Sequence, residues 1–316
     1  MDRVDTLVRV ADLLEEAAGL LRGLAEEGEE SRGRRQARSA GANGGEAPAP
    51  KAVESAGGEA RGRAATDNET VRLLSGKGIG VRRVGDVSAE EEGLLTLAKV
   101  MGRKASTIAP LIKAIKRAQS SRSALSLSLR DQPQEVIADV TLVASMASKA
   151  GLLPNYKYLR SPQYRLFCDA PVSPIAINFF TGQWLELFAL QAVREAEAAF
   201  GVDTHPVAGV HVELPNGDQF ELDLVFTVDG RLVWVEAKTT DDFAGLLPKY
   251  KTISQALCRS ERDAILLWSG FERGDALQAT RGALARMTLC SPDGFPDYVA
   301  GLLNGGREAV APRPPA

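Results

Sequence analysis

The sequence predicts an α/β protein, a sheet flanked by helices, preceded by a smaller helical region and an N-terminal amphipathic helix. Three observations carry this expectation. From residue 171 onward the patterns read helix, three strands, helix, strand, helix. Between Glu221 and Lys238 two apolar runs flank Asp229-Gly230, a strong hairpin signal. Residues 69–170 carry mostly helical spacing and end in one short hairpin.

Composition narrows the function classes. A chain of 316 residues with 44% hydrophobic content has room for about two packed domains. Its formal charge of −3 excludes a uniformly basic nucleic-acid coat, so any nucleic-acid surface must be local. The three cysteines, Cys168, Cys258 and Cys290, form no C-x-x-C pair, which argues against zinc knuckles and disulfide frameworks. The two histidines, His205 and His211, are too few for a histidine-rich metal centre. No signal peptide or apolar run of membrane length is visible, so a cytoplasmic protein without membrane contact is expected.

In residues 1–27, Leu7, Val10, Leu14, Ala17, Leu21 and Leu24 follow the three-four spacing of a coiled-coil seam. That seam makes a homo-oligomer, a dimer first, the expected assembly; a helix packing on its own body is the alternative. Residues 28–68 are rich in Gly, Ala, Glu, Arg and Ser without periodicity, the composition of a disordered linker. Helices are expected over 90–103 and 107–119, the second capped by Ser106 with Pro110 in its first turn. A strand over 124–129, a helix over 133–150 ended by Gly151, and a hairpin over 156–167 complete this region. Helices followed by a two-stranded wing suggest a winged helix, with Lys113, Lys116, Arg117 and Arg122 as its basic side. A helical interaction domain with an ordinary charged face is the competing reading. Beyond residue 171, a helix is expected over 184–200 and strands over 207–214, 219–228 and 231–238. A helix over 246–259, a buried strand over 263–268 and a helix near 275–287 follow.

The chemistry concentrates in the hairpin, E-L-D-L-V-F-T-V-D-G-R-L-V-W-V-E-A-K over residues 221–238. Strand side chains alternate faces. Glu221 and Asp223 are therefore expected on one face, opposite Leu222, Leu224 and Phe226, and Glu236 and Lys238 on one face of the second strand. Both runs are apolar enough to be buried, and buried carboxylates are costly unless they pair or bind a cation. Carboxylate oxygens are the ligands Mg²⁺ and Mn²⁺ prefer, and a metal beside a lysine is suited to cutting phosphodiesters.

Asp223 on the second strand and Glu236-Ala237-Lys238 on the third, with Thr181-Gly182-Gln183-Trp184-Leu185-Glu186 opening the preceding helix, resemble the PD-(D/E)XK nuclease superfamily. The run G-x-W-L-E, then E-L-D, then E-A-K-T is most similar to the nuclease domain of CRISPR-associated, cyclic-oligoadenylate-activated nucleases. The similarity covers roughly residues 175–270, and no counterpart of their sensor domain is expected in residues 1–68, which read as an amphipathic helix and a linker. The resemblance implies a restriction-endonuclease-like mixed sheet and a metal-dependent endonuclease acting on DNA more than RNA, in defence or repair. It implies Asp223, Glu236 and the Ala237 carbonyl as Mg²⁺ or Mn²⁺ ligands, with Glu186 and Lys238 as further catalytic residues.

Each residue also has a structural reading. Asp223 would be an edge-strand acid, Lys238 a structural ion-pair partner, and Glu186 a helix-dipole acid. Glu221 is equally a second acid near the site or a bystander. Lys249, Tyr250, Lys251 and Gln255 either reach phosphate or form a solvated helix face. Trp234 and Trp268 are expected in the core. The rival function is a non-catalytic nucleic-acid-binding or scaffold protein on a degenerate nuclease fold.

Overall fold

A computed structural model describes residues 68–85, 89–240, 243–270 and 276–305. The amphipathic helix expected over 1–27 lies outside the described residues, as does the linker over 28–68 apart from Asn68.

Helix α1 (Glu69–Gly76) starts at Asn68, whose side chain accepts the Thr70 and Val71 N–H groups. Strand β1 (Gly80–Arg83) follows. Helices α2 (Ala89–Arg103) and α3 (Ala105–Ser121) are separated by a single residue, Lys104. The expected Ser106 cap is therefore incorrect: α3 already includes Ser106, and Pro110 lies inside the helix rather than in its first turn. A long-range cluster holds the junction instead. The Lys104 ammonium donates to Asp139 at 2.5 Å, and the Thr107 hydroxyl donates to the same carboxylate at 2.7 Å.

Strand β2 (Leu125–Ser128), helix α4 (Gln134–Lys149) and strands β3 (Lys157–Leu159) and β4 (Arg165–Cys168) come next. The three strands form an antiparallel sheet in the order β2-β4-β3. Gly151, at φ +75°, follows the end of α4 as the sequence suggests.

A short helix α5 (Pro174–Asn178) and one π-helical turn lead into α6 (Trp184–Phe200). Strands β5 (Val207–Glu213), β6 (Gln219–Val228) and β7 (Arg231–Lys238) then run as an antiparallel meander. Asp229 and Gly230 both have positive φ, as a two-residue type I′ turn requires. Helix α7 (Leu247–Leu257), strand β8 (Ala264–Trp268), helix α8 (Ala276–Ala285), strand β9 (Thr288–Cys290) and helix α9 (Phe295–Asn304) finish the described chain. Strands β7, β8 and β9 are parallel. The result is a six-stranded mixed sheet, β1-β5-β6-β7-β8-β9, flanked by helices. No helix of the described residues is long and apolar enough to cross a membrane.

Two apolar clusters contact the sheet. One joins Leu224, Phe226, Val233, Val235 and Leu267 to helices α2, α3, α4, α6 and α9. The other joins Val210, Leu222, Val225, Trp234 and Leu266 to α1 and α7. Trp234 and Trp268 are buried, as expected. Helices α2, α3 and α4 thus share a core with α6 and the sheet. Strand β1 supplies a sheet edge.

The contact between α2 and α6 depends on one glycine. A Cβ built on Gly102 would fall 2.1 Å from the Phe188 ring. Gly102→Ala is expected to cost about 1–3 kcal/mol by overpacking, despite alanine's better helix propensity. Adding Phe188→Leu should recover part of that loss. Thermal denaturation of the single and double variants tests this, and an unchanged midpoint in Gly102→Ala would refute the close approach.

Candidate active site

The site forms where the β6–β7 ladder stops. Its last rung on that side is Leu224↔Val235. One step further, the Ala237 N–H donates to the Asp223 carboxylate at 2.8 Å instead of to a strand carbonyl. Strand β7 stays held on its other side, where Glu236, Ala237 and Lys238 pair with Leu266, Leu267 and Trp268 of β8.

The expected alternation along β6 breaks at this point. Leu222 joins the cluster of Val225, whereas Leu224 and Phe226 join the other, so Leu222 does not share a face with them. The break lies across from Gly209 of β5, which has φ +57° and accepts the Gly85 N–H at 3.0 Å. Only glycine takes that backbone conformation at little cost.

Asp223, Glu236 and Lys238 do come together. Glu236 is 6% exposed, and its carboxylate lies 2.8 Å from the Lys238 ammonium. Asp223 is pushed well above the usual carboxylate range, first by burial and then by the charges of Glu236 and Glu186; Lys238 and the Ala237 N–H act against this. For Lys238, burial opposes the charge, but Glu236, Asp223 and Glu186 outweigh it and hold the ammonium above the ordinary lysine value. Lys238 is therefore a cation at neutral pH, a point the sequence left open. Glu186, in the first turn of α6, reaches both residues electrostatically from across the site.

Glu221 does not join them. Its side chain is 58% exposed, and its carboxylate lies 3.6 Å from His211. Helix α7 divides its four candidates. Lys251 and Gln255 are exposed on its outer side, and the Lys249 ammonium sits 4.4 Å from the Phe220 ring centre. Tyr250 is 3% exposed and turns inward against Trp234. Burial, then the Glu236 charge, pushes its phenol far up, so it stays neutral, and its hydroxyl lies beside Glu236 without a hydrogen bond of good geometry. A buried hydroxyl beside a buried carboxylate was not foreseeable from the helix pattern alone.

Helix α3 forms a second wall. The Lys116 ammonium donates to the carbonyl and hydroxyl oxygens of Thr239 at 3.1 and 3.0 Å, and the Thr239 hydroxyl donates to the Thr181 carbonyl. A cleft of about 520 Å³ lies here, lined in part by Lys113, Lys116, Trp184 and Thr239. Two of the expected basic residues thus face the cleft.

The donor set suits a hard cation. Among the described residues no three His, Cys, Asp or Glu side chains gather into a ready cage. Two strand carboxylates are nevertheless what a Mg²⁺ ion, which keeps several waters, ordinarily takes from a protein. Desolvation first, and then the charges of Glu236 and Glu186, raise Asp223 more than Lys238 and the Ala237 N–H lower it, and a divalent ion would favour its ionised form.

No protein-family model matches the sequence, and neither does any curated protein. Solved structures do match. Protein VC1899 from Vibrio cholerae is 19% identical, over 75% of this chain and 60% of that one, with a TM-score of 0.49. Can2 from Sulfobacillus thermosulfidooxidans, in complex with cyclic tetra-adenylate, is 13% identical, over 75% of this chain and 61% of that one, with a TM-score of 0.51. The chain thus spans about three fifths of the length of each. The likeness to Can2 is one of fold.

Proposed function

We propose that this chain is a metal-dependent nuclease that hydrolyses phosphodiester bonds in nucleic acid, DNA more than RNA, in a defence setting. One observation carries the reading: the half-buried Asp223 and the buried Glu236 meet at the end of a strand pair, where desolvation and then the Glu236 charge disfavour the Asp223 carboxylate, beside a charged lysine. The sequence resemblance to nuclease domains of cyclic-oligoadenylate-activated enzymes and the fold shared with Can2 support it.

In this reading Asp223, Glu236 and the Ala237 carbonyl hold Mg²⁺ or Mn²⁺. The bound ion supplies a water of lowered pKa and neutralises charge developing on the phosphate. Lys238, already protonated, donates to a phosphate oxygen and stabilises the transition state rather than acting as the base. The neutral Tyr250 hydroxyl lies beside Glu236 and adds no charge to the site, and Glu186 adds negative charge opposite Asp223.

The test is incubation of purified protein with plasmid, single-stranded DNA and RNA in Mg²⁺, Mn²⁺ or EDTA. Cutting is expected with either metal and not with EDTA. Cutting in EDTA would sink the metal mechanism. No cutting and no metal binding would leave the scaffold reading.

Metal binding should also depend on pH. Asp223 holds its proton more tightly folded than unfolded. Its ionisation therefore destabilises the metal-free fold as pH rises from the ordinary carboxylate range to its raised value. Mg²⁺ needs the ionised form, so its stabilisation of the fold should grow over the same window. Thermal midpoints measured with and without Mg²⁺ across that range check this. A metal-induced shift that does not vary with pH would contradict it.

A further inference from the structure

We infer that the cleft between α3 and the carboxyl ends of β7 and β8 is a subsite for one unstacked nucleotide, so that the substrate is single-stranded nucleic acid. This rests on the nuclease reading above and names its substrate class. The cleft starts where the candidate active site ends: Thr239 directly follows Lys238, and Trp184 opens the same turn of α6 that carries Glu186. The carboxyl ends of parallel strands are where open α/β sheets take their ligands.

The lining matches the parts of a nucleotide. Ala109 and Ile112 give an apolar side for a base, with the buried Trp184 beneath them as packing. Lys113 gives an exposed cation for phosphate, while Lys116 and Thr239, already bonded to each other, add a second positive charge and one remaining acceptor for the sugar. No carboxylate lines the cleft among the described residues, in a chain whose net charge is −3. Its volume of about 520 Å³ accommodates a nucleotide, not a double helix. The walls are also tied together, because Lys116 bonds to Thr239 and Thr239 bonds to Thr181. A paired base would have to leave its stack to enter, at an unpairing cost that a single strand does not bear.

The test is binding of fluorescein-labelled DNA and RNA, single-stranded and as duplexes of the same sequence, to the full chain carrying Glu236→Gln. Anisotropy is the readout. Single strands should bind at least about tenfold more tightly than duplex. Ala109→Phe, at an exposed position on the cleft wall, should weaken single-strand binding at least about tenfold and leave duplex binding unchanged. Lys113→Ala should lower the salt dependence of single-strand binding by about 0.7 in log–log slope, one phosphate contact.

Equal affinity for duplex and single strand overturns the subsite, as does wild-type binding by both variants or no binding to either strand form. If the binding pattern holds but nothing is cut, the nuclease reading fails and the subsite stands. If metal-dependent cutting holds but Ala109→Phe cuts single strands at the wild-type rate, the subsite fails and the nuclease reading stands.

Discussion

Asp223→Asn and Glu236→Gln are each expected to lower cleavage by about 10³-fold, the loss of several kcal/mol of transition-state stabilisation, without destabilising the metal-free protein. The amide introduced by Asp223→Asn would keep an oxygen for the Ala237 N–H while removing a half-buried charge that desolvation and two neighbouring acids disfavour. The metal-free Asp223→Asn protein should therefore melt a few degrees higher near neutral pH, the shift expected of about 1 kcal/mol in a chain of this size. In Glu236→Gln the lysine keeps Asp223 as a counter-charge, so stability should stay near that of the wild type. Cleavage assays and thermal melts in EDTA give both readouts. Wild-type cleavage by both variants would reveal a contaminating nuclease, and a marked fall in the melting point of Asp223→Asn would show that the carboxylate is structural.

Lys238→Met is expected to do the opposite to stability. It leaves the buried Glu236 and the half-buried Asp223 without their cation, and breaking a largely buried pair from one side costs about 3 kcal/mol. The melting point should fall by about 6–10 °C near neutral pH. The loss should shrink as pH falls, because Asp223, raised above the usual carboxylate range, can then take up a proton. The double variant Glu236→Gln, Lys238→Met should regain most of the loss, because removing one carboxylate with the lysine returns the site to its wild-type net charge. Mg²⁺ should partly replace the missing cation in the single variant. Equal stability of Lys238→Met and wild type in EDTA would mean that the ion pair contributes nothing, and the electrostatic account of the site would fall with it.

The opposite signs of these two predictions come from tertiary structure. A hairpin with acids at residues 223 and 236 and a lysine at 238 is visible in the chain. Which of the three charges is in excess is not, because that depends on burial and on Glu186 from another element.

Local pattern determined much of the frame. Asp229-Gly230 between apolar runs specified the β6–β7 hairpin, and the period-two pattern of β7 placed Glu236 and Lys238 together. The apolar spacing from Trp184 to Phe200 gave α6 its full extent. These signals lie within one or two turns of chain, where backbone preference and side-chain spacing act directly. What required the fold depends on residues far apart. Strands β1 and β9 are three or four residues long, too short to show alternation, and exist because a neighbouring strand supplies their ladder. Ser106 lost its expected role because Asp139, more than thirty residues away, holds the α2–α3 junction. Leu222 changed face beside Gly209, and Glu221 went with His211 rather than Asp223. Tyr250 joined the site because α7 packs its apolar face on the sheet, and Lys116 turned towards Thr239 because α3 docks there. Spacing along the chain thus determined which charges share a strand face. Only the packing of distant helices onto that face decided how deeply those charges are buried, and with it their protonation and the shape of the cleft beside them.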